Sequence, residues 1–205
     1  MARAKIAVMG DPAEKPRRAT YADVLAVPEN KVAEIIDGEL HVFPRPAPPH
    51  AFTSSELGAE LNPFRRGRSG PGGWHIIDEP EIHFHREEPV VPDLAGWRIE
   101  RMPKLPSTAY FTLPPDWACE VLSKRTEKID RTKKMPLYAH FGVPYLWLVH
   151  PIRRTLEVFA LNEVKRWEML ATHEGKERVR AAPFADIELD LSLLWAEVEG
   201  EEQDE

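Results

Sequence analysis

Residues 33–36 and 39–43 are two short segments in which apolar residues are interrupted by single polar ones, with Asp37-Gly38 between them. That pattern predicts a β-hairpin, because a type I′ turn needs positive φ at both central residues and Asp-Gly supplies it. Ahead of the hairpin, Thr20 is placed to cap a short helix that ends before Pro28. After it, residues 44–49 form a rigid proline-rich connector. Phe52, Leu57, Leu61 and Phe64 then recur at helical spacing and predict a helix over 50–64, broken by the glycines of 67–73. Residues 74–77, 81–84, 90–95 and 117–122 read as strands, and 98–116, rich in proline, as an ordered loop. A helix over 126–141 stops at Gly142 and leads into 144–149, an almost unbroken apolar run of the kind a central strand shows when buried on both faces. Residues 155–161 and 166–172 predict an outer meander, and 189–195 a closing turn or short helix.

The order helix, strands, helix, strand, with the step from Glu120 to Val149 acting as a crossover, predicts an α/β fold on a mixed sheet. A single domain over 19–196 is expected, between a flexible N-terminal tail (1–18) and an acidic, flexible C-terminal one (197–205). No apolar stretch is long enough for a transmembrane helix, and the N-terminus does not read as a secretory signal. One cysteine, Cys119, excludes an internal disulfide, so a cytoplasmic protein away from the membrane is expected.

The net charge of −7 speaks against non-specific coating of nucleic acid, but part of the acid is terminal. Two local basic patches, one with Arg65 and Arg66 and one with Lys124, Arg125 and Lys128, could still touch a polyanion; each could equally be solvated surface.

The chemistry sits in two acids, Asp93 and Glu120, each within a predicted apolar strand. A buried carboxylate is costly unless a cation or hydrogen-bond donors meet it. Two on neighbouring strands could share Mg²⁺, or Mn²⁺ in its place, with the carbonyl of Val121 as a third oxygen. Such an ion would serve phosphodiester hydrolysis, for which a lysine would add positive charge. The residue two after Glu120 is Leu122, so the strand offers no lysine. Lys134 is the choice from the following helix, since Asp130, Lys134 and Tyr138 recur every four residues on one face. The alternative is an exposed helix lysine paired with Asp130. Pro136 should disturb the helix just past Lys134. Ser123 could cap that helix or bond near the metal, and His50 could contact phosphate or lie on the surface. His83 and His85 share a strand face, but no third zinc ligand accompanies them.

Taken together, the segments Glu34–Glu39, Pro48-Pro-His50, Val91-Pro-Asp93, Glu120–Ser123, Asp130…Lys134…Tyr138 and Gly142–Val149 resemble the bacterial Uma-two family, of the restriction-endonuclease-like superfamily with the PD-(D/E)XK signature. The resemblance runs from about Thr20 to Trp195. It implies an αβββαβ nuclease core, Asp93 and Glu120 as its acids, a helix lysine matching Lys134 in place of the strand lysine, and Glu34 as a further acidic ligand. DNA is the implied substrate, and the hairpin edge leaves room for a homodimer. The chain departs from the family at Lys124, where proline is common, and at His150, where aspartate is. A nuclease-fold module that binds nucleic acid or protein without cleaving is the competing expectation.

Overall fold

The computed structural model describes residues 17–65, 67, 70–85 and 88–197. Helix α1 (Tyr21–Leu25) starts at Thr20, whose backbone N–H and hydroxyl both donate to the Asp23 carboxylate, at 2.7 and 2.9 Å. Strands β1 (Lys31–Ile36) and β2 (Glu39–Pro44) form the expected hairpin. Asp37 and Gly38 have φ of 55° and 79°, as a type I′ turn demands. Helix α2 (Pro48–Glu60) begins on two prolines, tolerated there because first-turn N–H groups have no helical partner.

The centre is a six-stranded sheet in the order β10-β9-β8-β7-β6-β3. Its strands are β3 (Trp74–Asp78), β6 (Leu94–Arg98), β7 (Trp117–Val121), β8 (Tyr145–His150), β9 (Thr155–Leu161) and β10 (Trp167–Glu174). Only β7 and β8 run parallel, joined by the helical crossover; the other pairs are antiparallel. With α2 before β3 and the helical segment between β7 and β8, this is a restriction-endonuclease-like core. Strands β4 (Ile82–His85) and β5 (Glu88–Val90) form a separate ribbon, and β11 (Arg178–Val179) pairs with β12 (Leu189–Asp190) before a 3₁₀ turn, Leu191–Leu194.

The continuous strand expected over 90–95 is broken in two. Val91, Pro92 and Asp93 lie between β5 and β6. Pro92 has no N–H for a ladder, and the Val91 N–H is taken by Glu34 Oε1 at 2.6 Å rather than by a neighbouring strand. Asp93 therefore stands at a bend, not inside a strand.

The alternation of β7 divides the core into two layers. Trp117, Cys119 and Val121 face α2, where they pack with Leu57, Leu61, Trp147 and Phe184. Ala118 and Leu122 face the crossover, with Ile36, Tyr138 and Leu148. Glu120 belongs to this second face. Cys119, of opposite parity, is buried in the first layer.

The crossover is α3 (Glu127–Ile129), a π turn (Asp130–Lys134) and α4 (Met135–His140). In the π turn the Met135 N–H reaches back five residues to the Asp130 carbonyl. Pro136 explains its place: in an α-helix the proline ring meets the carbonyl four residues earlier, and one extra residue per turn relieves that contact. Asp130, Lys134 and Tyr138 all remain buried on the inner side.

Candidate active site

A cleft of about 980 Å³ opens where the hairpin, the first turn of α2, the Asp93 bend and the ends of β7 and β8 meet. Glu34, His50, Asp93, Glu120, Asp130 and Lys134 line it. Glu120 (2% exposed), Glu34 (3%) and Lys134 (3%) are withdrawn from bulk solvent.

Lys134 is not a surface residue. Its ammonium lies 2.8 Å from Glu120 Oε2, 3.1 Å from Glu34 Oε1 and 3.9 Å from Asp130 Oδ1, and donates to the Val91 carbonyl at 3.1 Å. Glu120 Oε1 accepts a short hydrogen bond from the Tyr138 hydroxyl. Asp93 accepts from the Val121 N–H through Oδ2 at 2.6 Å, while its Oδ1 faces His50 Nε2 at 3.3 Å. Ser123 Oγ accepts from the backbone N–H groups of Arg125 and Thr126, at 3.3 and 3.2 Å, and so secures the entry to α3.

The electrostatics follow from several acids sharing one lysine away from water. Burial pushes Glu120 well above the usual carboxylate range; Lys134 opposes this, and the charges of Asp130, Asp93 and Glu34 add to it. Burial, against the pull of Lys134, lifts Asp130 to about 6. For Lys134 burial disfavours the charge, but Glu120, Glu34, Asp130 and Asp93 together outweigh it and hold the ammonium above its ordinary value. Burial and then the Glu120 charge push the Tyr138 hydroxyl up. His50 is likewise raised: burial favours its neutral form, but the bond to Asp93, the charges of Asp93 and Asp130 and the Val121 carbonyl together outweigh it.

Four acids around one lysine leave an excess of negative charge, which is the charge balance of a cation site. The donors are carboxylates and a backbone carbonyl with no thiolate, which fits a hard divalent cation. Among the described residues no group of three or more His, Cys, Asp and Glu side chains forms a ready metal cage. An ion such as Mg²⁺ needs only one or two protein carboxylates and keeps several waters.

The basic residues divide. Lys124 and Arg125 are exposed on the rim of the cleft, together with Arg45 and Arg153, which the sequence reading did not single out. Lys128 is exposed but lies off the cleft lining. Arg65 is engaged elsewhere, with Asp78 at 3.5 Å. Arg66 falls outside the described residues. His83 and His85 do not form a ligand pair: a register shift separates them, Tyr110 stacks on His83, and Phe141 meets His85 edge-on. His150 is buried at the end of β8 and lines the cleft.

Residues 19–193 match the family model described as "Uma2: Putative restriction endonuclease". The chain belongs to the Uma2 family. A solved structure, described as a putative nuclease belonging to DUF820 from Anabaena variabilis ATCC 29413, is similar to it with a TM-score of 0.67 and 21% identity, over 86% of this chain and 97% of that one. That likeness speaks to the fold of the Uma2 chain. Comparison with curated proteins gave no match. Family and fold together support a nuclease. Among the described residues no helix is long and apolar enough to cross a membrane.

Proposed function

We propose that this Uma2 protein is a Mg²⁺-dependent endonuclease, with Mn²⁺ as an alternative, that hydrolyses DNA phosphodiester bonds in the cytoplasm, as a monomer or a homodimer. The observation that carries the reading is the convergence of Asp93, Glu120 and Lys134, from three separate elements, on one acid-rich cleft. Asp93 and Glu120 would hold the cation with the Val121 carbonyl, and Glu34 is placed to assist. A bound Mg²⁺ supplies positive charge to the scissile phosphate and lowers the pKa of a coordinated water. Lys134, kept charged by its acids, stabilises the negative charge that develops on the phosphate. Tyr138 fixes Glu120 by its hydroxyl, and Asp130 helps to hold the ammonium in place. Lys124 and Arg125 on the rim meet flanking phosphates, and Lys128 follows them in the same basic stretch of sequence.

The test is a titration of Mg²⁺ and Mn²⁺ with plasmid DNA, comparing wild type with Asp93→Ala. Cation-dependent nicking that disappears in Asp93→Ala supports the reading. Equal cleavage by both proteins removes Asp93 from the chemistry. A second reading, a nuclease-fold module that binds nucleic acid or protein without cleaving, has one observation in its favour: Lys134 pairs with both Glu34 and Glu120, which gives these buried acids a cation from the protein itself. DNA retention with no cleavage under either cation would select it.

A further inference from the structure

His50 stands in the first turn of α2, on the opposite layer from Glu120 and Lys134, and is 9% exposed. Its Nε2 is 3.3 Å from Asp93 Oδ1, and the Val121 backbone carbonyl also hydrogen-bonds to the ring. Among the described residues Nδ1 has no hydrogen-bond partner. That leaves Nε2 as the ring nitrogen that faces protein oxygens. Asp93 does not need the ring as its only brace, since the Val121 N–H already holds its other oxygen at 2.6 Å. The imidazole faces two oxygens, Asp93 Oδ1 at 3.3 Å from Nε2 and the Val121 carbonyl. These are the oxygens assigned above to the cation, and the inference rests on that assignment. Neighbouring ligands of an octahedral ion with bonds of about 2.1 Å lie about 3.0 Å apart, close to the spacing seen here.

We propose that His50 Nε2 is a nitrogen ligand of the cation held by Asp93 and the Val121 carbonyl, so that the site prefers a first-row divalent ion such as Mn²⁺ to Mg²⁺. Imidazole nitrogen suits transition ions, whereas Mg²⁺ favours oxygen alone. With two side chains and a backbone carbonyl as its protein ligands, such a site needs no cage of three or more acidic or histidine side chains.

The test uses the full chain and Mn²⁺ itself as probe. Pulsed electron paramagnetic resonance of the Mn²⁺-loaded protein should show coupling to a directly bound ¹⁴N, and His50→Gln should lose it. By calorimetry His50→Gln should weaken Mn²⁺ at least about tenfold and Mg²⁺ by less than about threefold, within the range expected when groups at a metal site are changed. Gln can still donate to Asp93, so a merely bracing role predicts that the Mn²⁺ preference survives. His150→Gln, at the other histidine lining the cleft, should leave the coupling in place. Mn²⁺ bound without ¹⁴N coupling, coupling that persists in His50→Gln or vanishes in His150→Gln, or equal weakening of both ions overturns the proposal. Wild type that binds neither ion overturns the metal site itself as well. The wild-type spectrum and the His150→Gln control decide the matter even where a His50 variant does not fold.

Discussion

Lys134 Nζ lies 2.8 Å from Glu120 Oε2, and both side chains are buried. Removing one partner of a buried ion pair typically costs about 3–5 kcal/mol, because the other charge is stranded. Lys134→Met should therefore lose about 3 kcal/mol of stability in urea unfolding at neutral pH. The loss should shrink in acid, where Glu120 takes up a proton. Cleavage should be abolished, while Mn²⁺ affinity by calorimetry stays level or rises, since a repelling cation has gone. A variant as stable and active as wild type would remove Lys134 from both roles.

Tyr138 gives the same carboxylate a second donor on its other oxygen. Tyr138→Phe keeps the ring in the apolar layer with Phe84 and Leu148 but strands Glu120 Oε1. The expected loss is about 1–3 kcal/mol, the usual cost of an unsatisfied buried group, with cleavage reduced through a loosened Glu120. A melting temperature equal to that of wild type would mean that Glu120 finds another donor.

Much of this site was legible because local rules governed it. Asp37-Gly38 required the hairpin, and the apolar run ending at Val149 required a central strand. The spacing of Asp130, Lys134 and Tyr138 required a common face. The same spacing could not decide whether that face was buried, and the acids that settle it, Glu34 and Glu120, come from distant strands. The break at Asp93 was hidden for the same reason: Val91 and Asp93 give up a ladder for bonds with Glu34 and Val121, far away in sequence. The ribbon β4-β5 reads like any other pair of strands, and nothing in its pattern tells that it leaves the central sheet. The π turn had a trace in Pro136. His50 had one in Pro48-Pro49, which mark a helix start, but its direction depends on where α2 packs.

Asp130 supplies a pH test. Its folded value of about 6 lies above its ordinary value of 3.8, so the folded state holds this proton more tightly than the unfolded one. Its contribution to stability is full below about pH 4 and is lost as pH rises through 6. A difference of that size corresponds to roughly 3 kcal/mol. Asp130→Asn carries no such titration. The difference between variant and wild type should therefore move in favour of the variant by up to about that amount between pH 4 and pH 7. Denaturation at three pH values measures it, and a constant difference would show that Asp130 is not perturbed.

Cation binding and protons should also be linked. Burial holds Glu120 well above the ordinary carboxylate range, with the nearby acids adding to the shift and Lys134 opposing it, so a cation at this carboxylate competes with a proton at higher pH than at an ordinary acid. Binding Mg²⁺ or Mn²⁺ should release it, as it does wherever ligands must be deprotonated. Calorimetry in two buffers of different ionisation heat should give different apparent enthalpies on the acid side of neutrality, with a proton release that falls as pH rises. Affinity should rise with pH over the same range, and so should the cation's stabilisation of the fold, since a ligand that binds only the folded state adds RT ln(1 + [L]/Kd). Glu120→Gln, with no proton to lose, should bind more weakly and show a flat pH dependence. Identical enthalpies in both buffers for wild type would mean that Glu120 enters the complex already ionised, or stays outside it.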